Sequence, residues 1–181
     1  MRQRKIGILT YMEGSNNAGA LLQAYALRQA LLRMGHWPEL IRYPVHRDRR
    51  HLRILWDRMK KQGHYREQIG SYWRYERFRQ KYLSRSPACH NSEELIKICQ
   101  RYDTLIVGSD QVWNTGMARR FFQHRPDYGF LSFIPGSSVC KIAYAACSGT
   151  PEADVITFVF APYWLKQFHA ISARNQVTQA L

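Results

Sequence analysis

The stretch Tyr102-Asp-Thr-Leu-Ile-Val-Gly-Ser-Asp-Gln-Val-Trp-Asn114 decides the fold. Its first half, from Asp103 to Gly108, is a short apolar run without polar alternation, which reads as a strand buried on both faces. Behind Gly108 the residues turn polar, so the strand ends in a loop. Upstream, Ser92 followed by Glu93 and Glu94 has the pattern of a capped helix start, and that helix is expected to end near Arg101. Farther upstream, Lys5-Ile-Gly-Ile-Leu-Thr-Tyr11 is a second buried strand, followed by a polar loop from Glu13 to Gly19. Leu21, Leu22, Tyr25, Ala26, Ala30 and Leu31 then recur at helical spacing from Ala18 to Met34, with Gly35 as terminator. Trp37 to Tyr43 closes a strand, helix, strand unit whose crossover should be right-handed and whose sheet should be parallel. Downstream, Lys141 to Ala146 is a strand, Phe158 to Phe168 a helix and Ala170 to Ala173 a last short run. The expected fold is α/β, a doubly wound, mostly parallel sheet whose ligands sit outside the carboxyl ends of the strands.

Composition narrows the class. A chain of 181 residues with 45% hydrophobic and 13% aromatic content supports one globular domain. No apolar run approaches the roughly 20 residues that cross a bilayer, and the N-terminus lacks a signal-peptide core, so a cytoplasmic location is expected. Cys89, Cys99, Cys140 and Cys147 lack CxxC spacing, and the seven histidines show no shared ligand spacing, so no metal site is expected. The net charge of +14 is concentrated. Between Arg42 and Arg85 fourteen Lys and Arg face four Asp and Glu, a net of about +10. From Tyr65 to Leu83 those cations interleave with Ile69, Tyr72, Trp73, Phe78 and Tyr82, giving a helical excursion with an aromatic and a cationic face. Such a patch suits an anionic membrane surface or an acidic carrier; a charged solvent face is the plainer alternative. Nucleic acid is not expected, because no nucleic-acid motif accompanies the charge.

Two loops carry polar groups at the carboxyl ends of strands. The first holds Asn16, Asn17 and Gly19, which can offer amides and a helix N-terminus to a hydroxylated or anionic ligand, or serve simply as a turn and cap. It has neither GxGxxG nor GxxxxGK[ST], so a nucleotide site is not supported. The second holds Ser109, Asp110, Gln111, Trp113 and Asn114. There Asp110 can accept a proton from an attacking hydroxyl while Trp113 offers a ring for a sugar to stack on. Equally, Asp110 can cap the next helix and Trp113 can pack into the core. Arg119, Arg120 and Arg125 follow, as cleft lining or as a solvated face.

Five segments in order, Lys5 to Tyr11, Asn16 to Leu27, Tyr102 to Asn114, Lys141 to Ala146 and Ile171 to Arg174, resemble the polysaccharide pyruvyl transferase family. Gly108-Ser-Asp-Gln-Val-Trp-Asn114 is the most specific of them. The resemblance implies one half of a GT-B-like enzyme, with two α/β domains across a cleft. It further implies transfer of pyruvyl from phosphoenolpyruvate, without a cofactor, to a sugar of a cell-envelope exopolysaccharide. By this reading residues 1–181 form an N-terminal, acceptor-side domain with a basic helical excursion at about 44–87. Asp110 is its catalytic candidate, and Asn16, Asn17, Gly19, Ser109, Gln111, Trp113 and Asn114 are its substrate-binding candidates. The donor-binding arginines and a histidine belong to a second domain that this sequence lacks, so the chain alone is expected to be inactive. Its expected partners are a glycan acceptor, lipid-linked or free, that second domain, and an anionic membrane at whose inner face it would lie. Asn175 departs from the pattern, standing where the family has glutamate. The alternative is a non-catalytic carbohydrate- or membrane-binding fragment of the same fold.

Overall fold

A computed structural model describes residues 2–12, 17–43, 65–121, 125–134, 139–149 and 155–180. Its strands are β1 (Lys5–Leu9), β2 (Trp37–Arg42), β3 (Arg85–Ala88), β4 (Thr104–Gly108), β5 (Cys140–Ala146) and β6 (Ala170–Ala173). Its helices are α1 (Ala18–Arg33), α2 (Tyr65–Tyr82), α3 (Ser92–Cys99), α4 (Thr115–Phe121), α5 (Val155–Leu165) and α6 (Gln176–Gln179), with a 3-10 helix at Pro126–Phe130. The strands form one sheet in the order β3-β2-β1-β4-β5-β6, and every pairing is parallel. The chain therefore adopts the α/β class that its apolar runs predict.

Alternate residues of the buried strands feed two separate cores. On one face Ile6, Ile8, Leu40 and Ile106 meet Leu21, Leu27 and Leu31 of α1, with Tyr75 and Phe78 of α2 against them. On the other, Leu9, Ile41, Leu105, Val107 and Ala143 meet Leu95, Ile98 and Cys99 of α3 and Ala161 of α5. The period-2 geometry of a strand makes this division obligatory once both faces are covered. The chain turns outward in both directions from the β1–β4 pair, which makes that pair the topological switch point.

The structure adds elements that the pattern does not announce. β3 lies at Arg85–Ala88, within the expected helical excursion, and it is an edge strand that contains Pro87. A proline removes a ladder donor and is tolerated at an edge. The short α4, the 3-10 helix and α6 are further additions, and α5 begins at Val155, ahead of Phe158. Residues 44–64 of the basic excursion lie outside the described residues, whereas Tyr65–Tyr82 is helical as read.

Candidate functional site

At the switch point one side chain joins the two central strands. Gln23, on α1, accepts from the Ser109 backbone N–H (3.2 Å) and from Ser109 Oγ (3.0 Å) through Oε1. Its Nε2 donates to Thr10 Oγ1 and to the Ala20 carbonyl, both at 2.9 Å. The loop behind β4 is thus tied to the end of β1 and to the first turn of α1. Sequence reading passed over Gln23; its one signal is a polar residue inside an otherwise apolar helical face.

The loop itself is held by backbone bonds. The Asp110 carbonyl accepts from Val112 N–H (2.7 Å) and Cys147 N–H (3.1 Å), and Trp113 N–H donates to the Cys147 carbonyl (3.1 Å). Asp110 is half-buried. Its Oδ1 accepts from Gln111 N–H at 2.7 Å, while Oδ2 has no hydrogen-bond partner among the described residues. Burial holds its pKa above the ordinary carboxylate value, with the Gln111 N–H and the positive charge of Arg174 pulling the other way. Fully buried Tyr11 is a neighbour: burial first, then the Asp110 charge, pushes its phenol pKa upward. A carboxyl in this setting can take a proton from a hydroxyl at a pH where an exposed aspartate is a weaker base.

Gln111 and Asn114 pair with each other, Asn114 Nδ2 donating to Gln111 Oε1 at 3.0 Å. Asn114 also starts α4, its Oδ1 accepting from Met117 N–H (3.1 Å) and its carbonyl from Ala118 N–H (2.8 Å). Gly149 closes over this pair: a Cβ there would lie 2.6 Å from Gln111 Oε1. Beyond it, Asn175 caps α6 through Thr178 N–H (3.0 Å) and reaches Cys147 Sγ at 3.5 Å.

Trp113 stands elsewhere than the sugar-stacking reading places it. Its side chain is 2% exposed, stacked on Phe130 with ring centroids 5.3 Å apart, and its Nε1 donates to the Gly129 carbonyl at 2.9 Å. Both the ring face and the N–H are used inside the core, so Trp113 supports the loop from behind. Asn17 is exposed and caps α1, its side chain accepting from Gly19 N–H at 2.8 Å. Asn16 lies outside the described residues, as do the side chains of Arg119 and Arg120. Arg125 pairs with Asp127 at 2.9 Å beside the ring of Tyr128. Among the described residues no three of His, Cys, Asp and Glu come together as a metal site would require.

The family model for polysaccharide pyruvyl transferase matches residues 17–181. The chain belongs to that family. No curated protein matches it. Among solved structures, an alpha-glucosyltransferase in complex with UDP and a 13-mer DNA containing a HMU base is similar over 94% of this chain and 37% of that one. That likeness, at 10% identity and a TM-score of 0.44, is too weak to inform function. In this pyruvyl transferase family chain, then, Ser109, Asp110, Gln111 and Asn114 come together behind β4, Asn17 and Gly19 stand at the start of α1, and Trp113 is their buried support.

Proposed function

We propose that this domain presents the sugar acceptor of a pyruvyl transferase, with Asp110 as the group that takes the proton of an attacking hydroxyl. The observation that carries the reading is the half-buried Asp110 carboxyl, one oxygen held by Gln111 N–H and the other unengaged among the described residues, at the carboxyl end of a central strand. In the reaction, protonation of the methylene carbon of phosphoenolpyruvate makes the adjoining carbon electrophilic. One sugar hydroxyl adds there and loses its proton to Asp110, inorganic phosphate leaves and regenerates an electrophilic carbon, and a second hydroxyl adds and gives up its proton to complete the ketal. The two hydroxyl protons balance the one gained by the methylene carbon and the one carried off by phosphate. Ser109, Gln111 and Asn114 supply donors and acceptors for neighbouring hydroxyls. The cationic clamp for phosphate and carboxylate is assigned to a second domain, so the 181-residue chain should bind acceptor without turnover.

The test is an amide-resolved NMR titration of the chain with galactose- and mannosamine-containing oligosaccharides, followed by a phosphate-release assay with phosphoenolpyruvate. Shifts confined to Ser109–Asn114 and the start of α1, with no phosphate above background, are expected. Saturable shifts elsewhere with none in that loop would overturn the acceptor site. Turnover by the chain alone would overturn the assignment of the donor clamp.

A further inference from the structure

Helix α2 has an outer face that the acceptor reading leaves unexplained. At 100° per residue, Trp73, Arg77, Lys81 and Arg74 fall within about 100° of arc, on the side opposite Tyr75, while Phe78 lies beside Arg74 at the edge of that face. Tyr75 and Phe78 both pack on the core that α1 and the sheet share. Trp73 is 61% exposed, with Tyr72 edge-on to it at 5.6 Å between ring centroids. Arg74, Arg77 and Lys81 are exposed, and none of them makes an ion pair among the described residues. Between Trp73 and Lys81 the one carboxylate, Glu76, is already engaged by Arg79 and Arg85, both at 3.2 Å, and Glu67 lies nearer the start of the helix. An indole beside uncompensated cations matches the interface of an anionic bilayer, where the ring sits at headgroup depth and the cations meet lipid charge.

The same helix is fixed to the acceptor end of the sheet. Arg79 is 1% exposed, and its Nε donates to the Met12 carbonyl at 3.0 Å, just beyond β1. Phe78 packs edge-on against Tyr25 of α1, the helix that carries Gln23. The outer face of α2 and the loop behind β4 therefore belong to one packed unit.

We propose that the Trp73, Arg74, Arg77 and Lys81 face of α2 docks on an anionic lipid surface and so holds the carboxyl end of the sheet beside it. The further consequence, that the acceptor is presented on a lipid carrier, rests on the proposed function; the docking itself does not. Sedimentation of the 181-residue chain with phosphatidylglycerol–phosphatidylcholine vesicles, and with pure phosphatidylcholine vesicles, tests the docking without any assay of transfer. Binding to the anionic vesicles only, falling as salt rises, is expected. The triple variant R74Q/R77Q/K81Q should bind on the order of 100-fold more weakly, and W73A several-fold more weakly, with unchanged circular dichroism and melting. A control triple variant, R47Q/R49Q/R53Q, tests the other basic stretch of the sequence. Equal loss in both triple variants, loss in the control alone, binding to neutral vesicles, or no binding at all would each overturn the proposal. A chain that docks normally yet shows no sugar-induced shifts would sink the acceptor reading and leave the docking surface standing.

Discussion

Lys141 and Asp110 are both ionisable groups removed from full solvent, one on β5 and one just beyond β4, and they are treated oppositely. The Lys141 amine is 1% exposed and uses all three donors, to the carbonyls of Leu131 (2.8 Å) and Ile134 (2.7 Å) and to Gln167 Oε1 (2.8 Å). Burial lowers its pKa, and the arrangement leaves it nothing to offer a ligand. The Asp110 carboxyl has one protein hydrogen bond among the described residues and keeps an oxygen in reserve. A buried charge whose every bond is made organises structure, whereas one left partly unpaired at the end of a strand is available for chemistry. The contrast separates two charges that the sequence alone presents alike.

Substitution sharpens the contrast. In a protein that joins this chain to a donor-binding domain, as the proposed function requires, Asp110→Asn should lower turnover on the order of 10²- to 10⁴-fold, measured as phosphate release, while thermal unfolding shows no loss of stability. A stable variant with full turnover would make Asp110 a second Lys141. Conversely, Lys141→Met should cost about 2 kcal/mol or more in denaturant unfolding, because the buried Ile134 carbonyl loses this donor and the Leu131 carbonyl keeps only the Ile134 N–H at 3.3 Å. Its acceptor-induced NMR shifts at Ser109–Asn114 should persist under conditions where it remains folded. Gln23→Ala removes the acceptor of Ser109 N–H and should cost about 1–2 kcal/mol, with the largest amide shifts at Ser109 and Thr10.

The smallest effect is one of sign. A folded-state pKa raised above the unfolded value means that Asp110 favours the fold when protonated and loses that contribution as pH rises through its raised pKa. Asparagine does not titrate. The stability of Asp110→Asn relative to the parent should therefore improve from about pH 4 toward neutrality. A difference that stays flat across that window would show that the carboxyl is not disfavoured by its surroundings.

Legibility followed how local each cause is. β1 and β4 could be read because a run buried on both faces is written in consecutive residues, and β2 and β5, partly exposed, because their short apolar runs are equally local. Arg85-Ser-Pro-Ala88 could not, since it becomes a strand only by pairing beside β2 at the sheet edge, through a shifted register. The position of the Ser109–Asn114 loop was legible from the apolar run before it. The work of Trp113 was not, because Phe130 and the Gly129 carbonyl that occupy its ring and N–H come from the 3-10 helix farther along the chain. Gln23 was hidden for the same reason: nothing near it in sequence announces that Ser109 will be its partner.

Gly149 has a consequence for how this loop can change over mutational time. Its φ of +84° disfavours any other residue for a backbone reason that no neighbour can relieve. A Cβ there would also collide with the Asn114–Gln111 amide pair, and that part of the penalty depends on the length of two other side chains. Shortening Gln111 removes its part of the steric share, leaving the Asn114 Nδ2 contact and the backbone share, so the combined variant should be less damaging than the sum of the two single changes. Positions 111, 114 and 149 are thus bound into one epistatic group, and a lineage that remodels this loop has to pass through them in a restricted order.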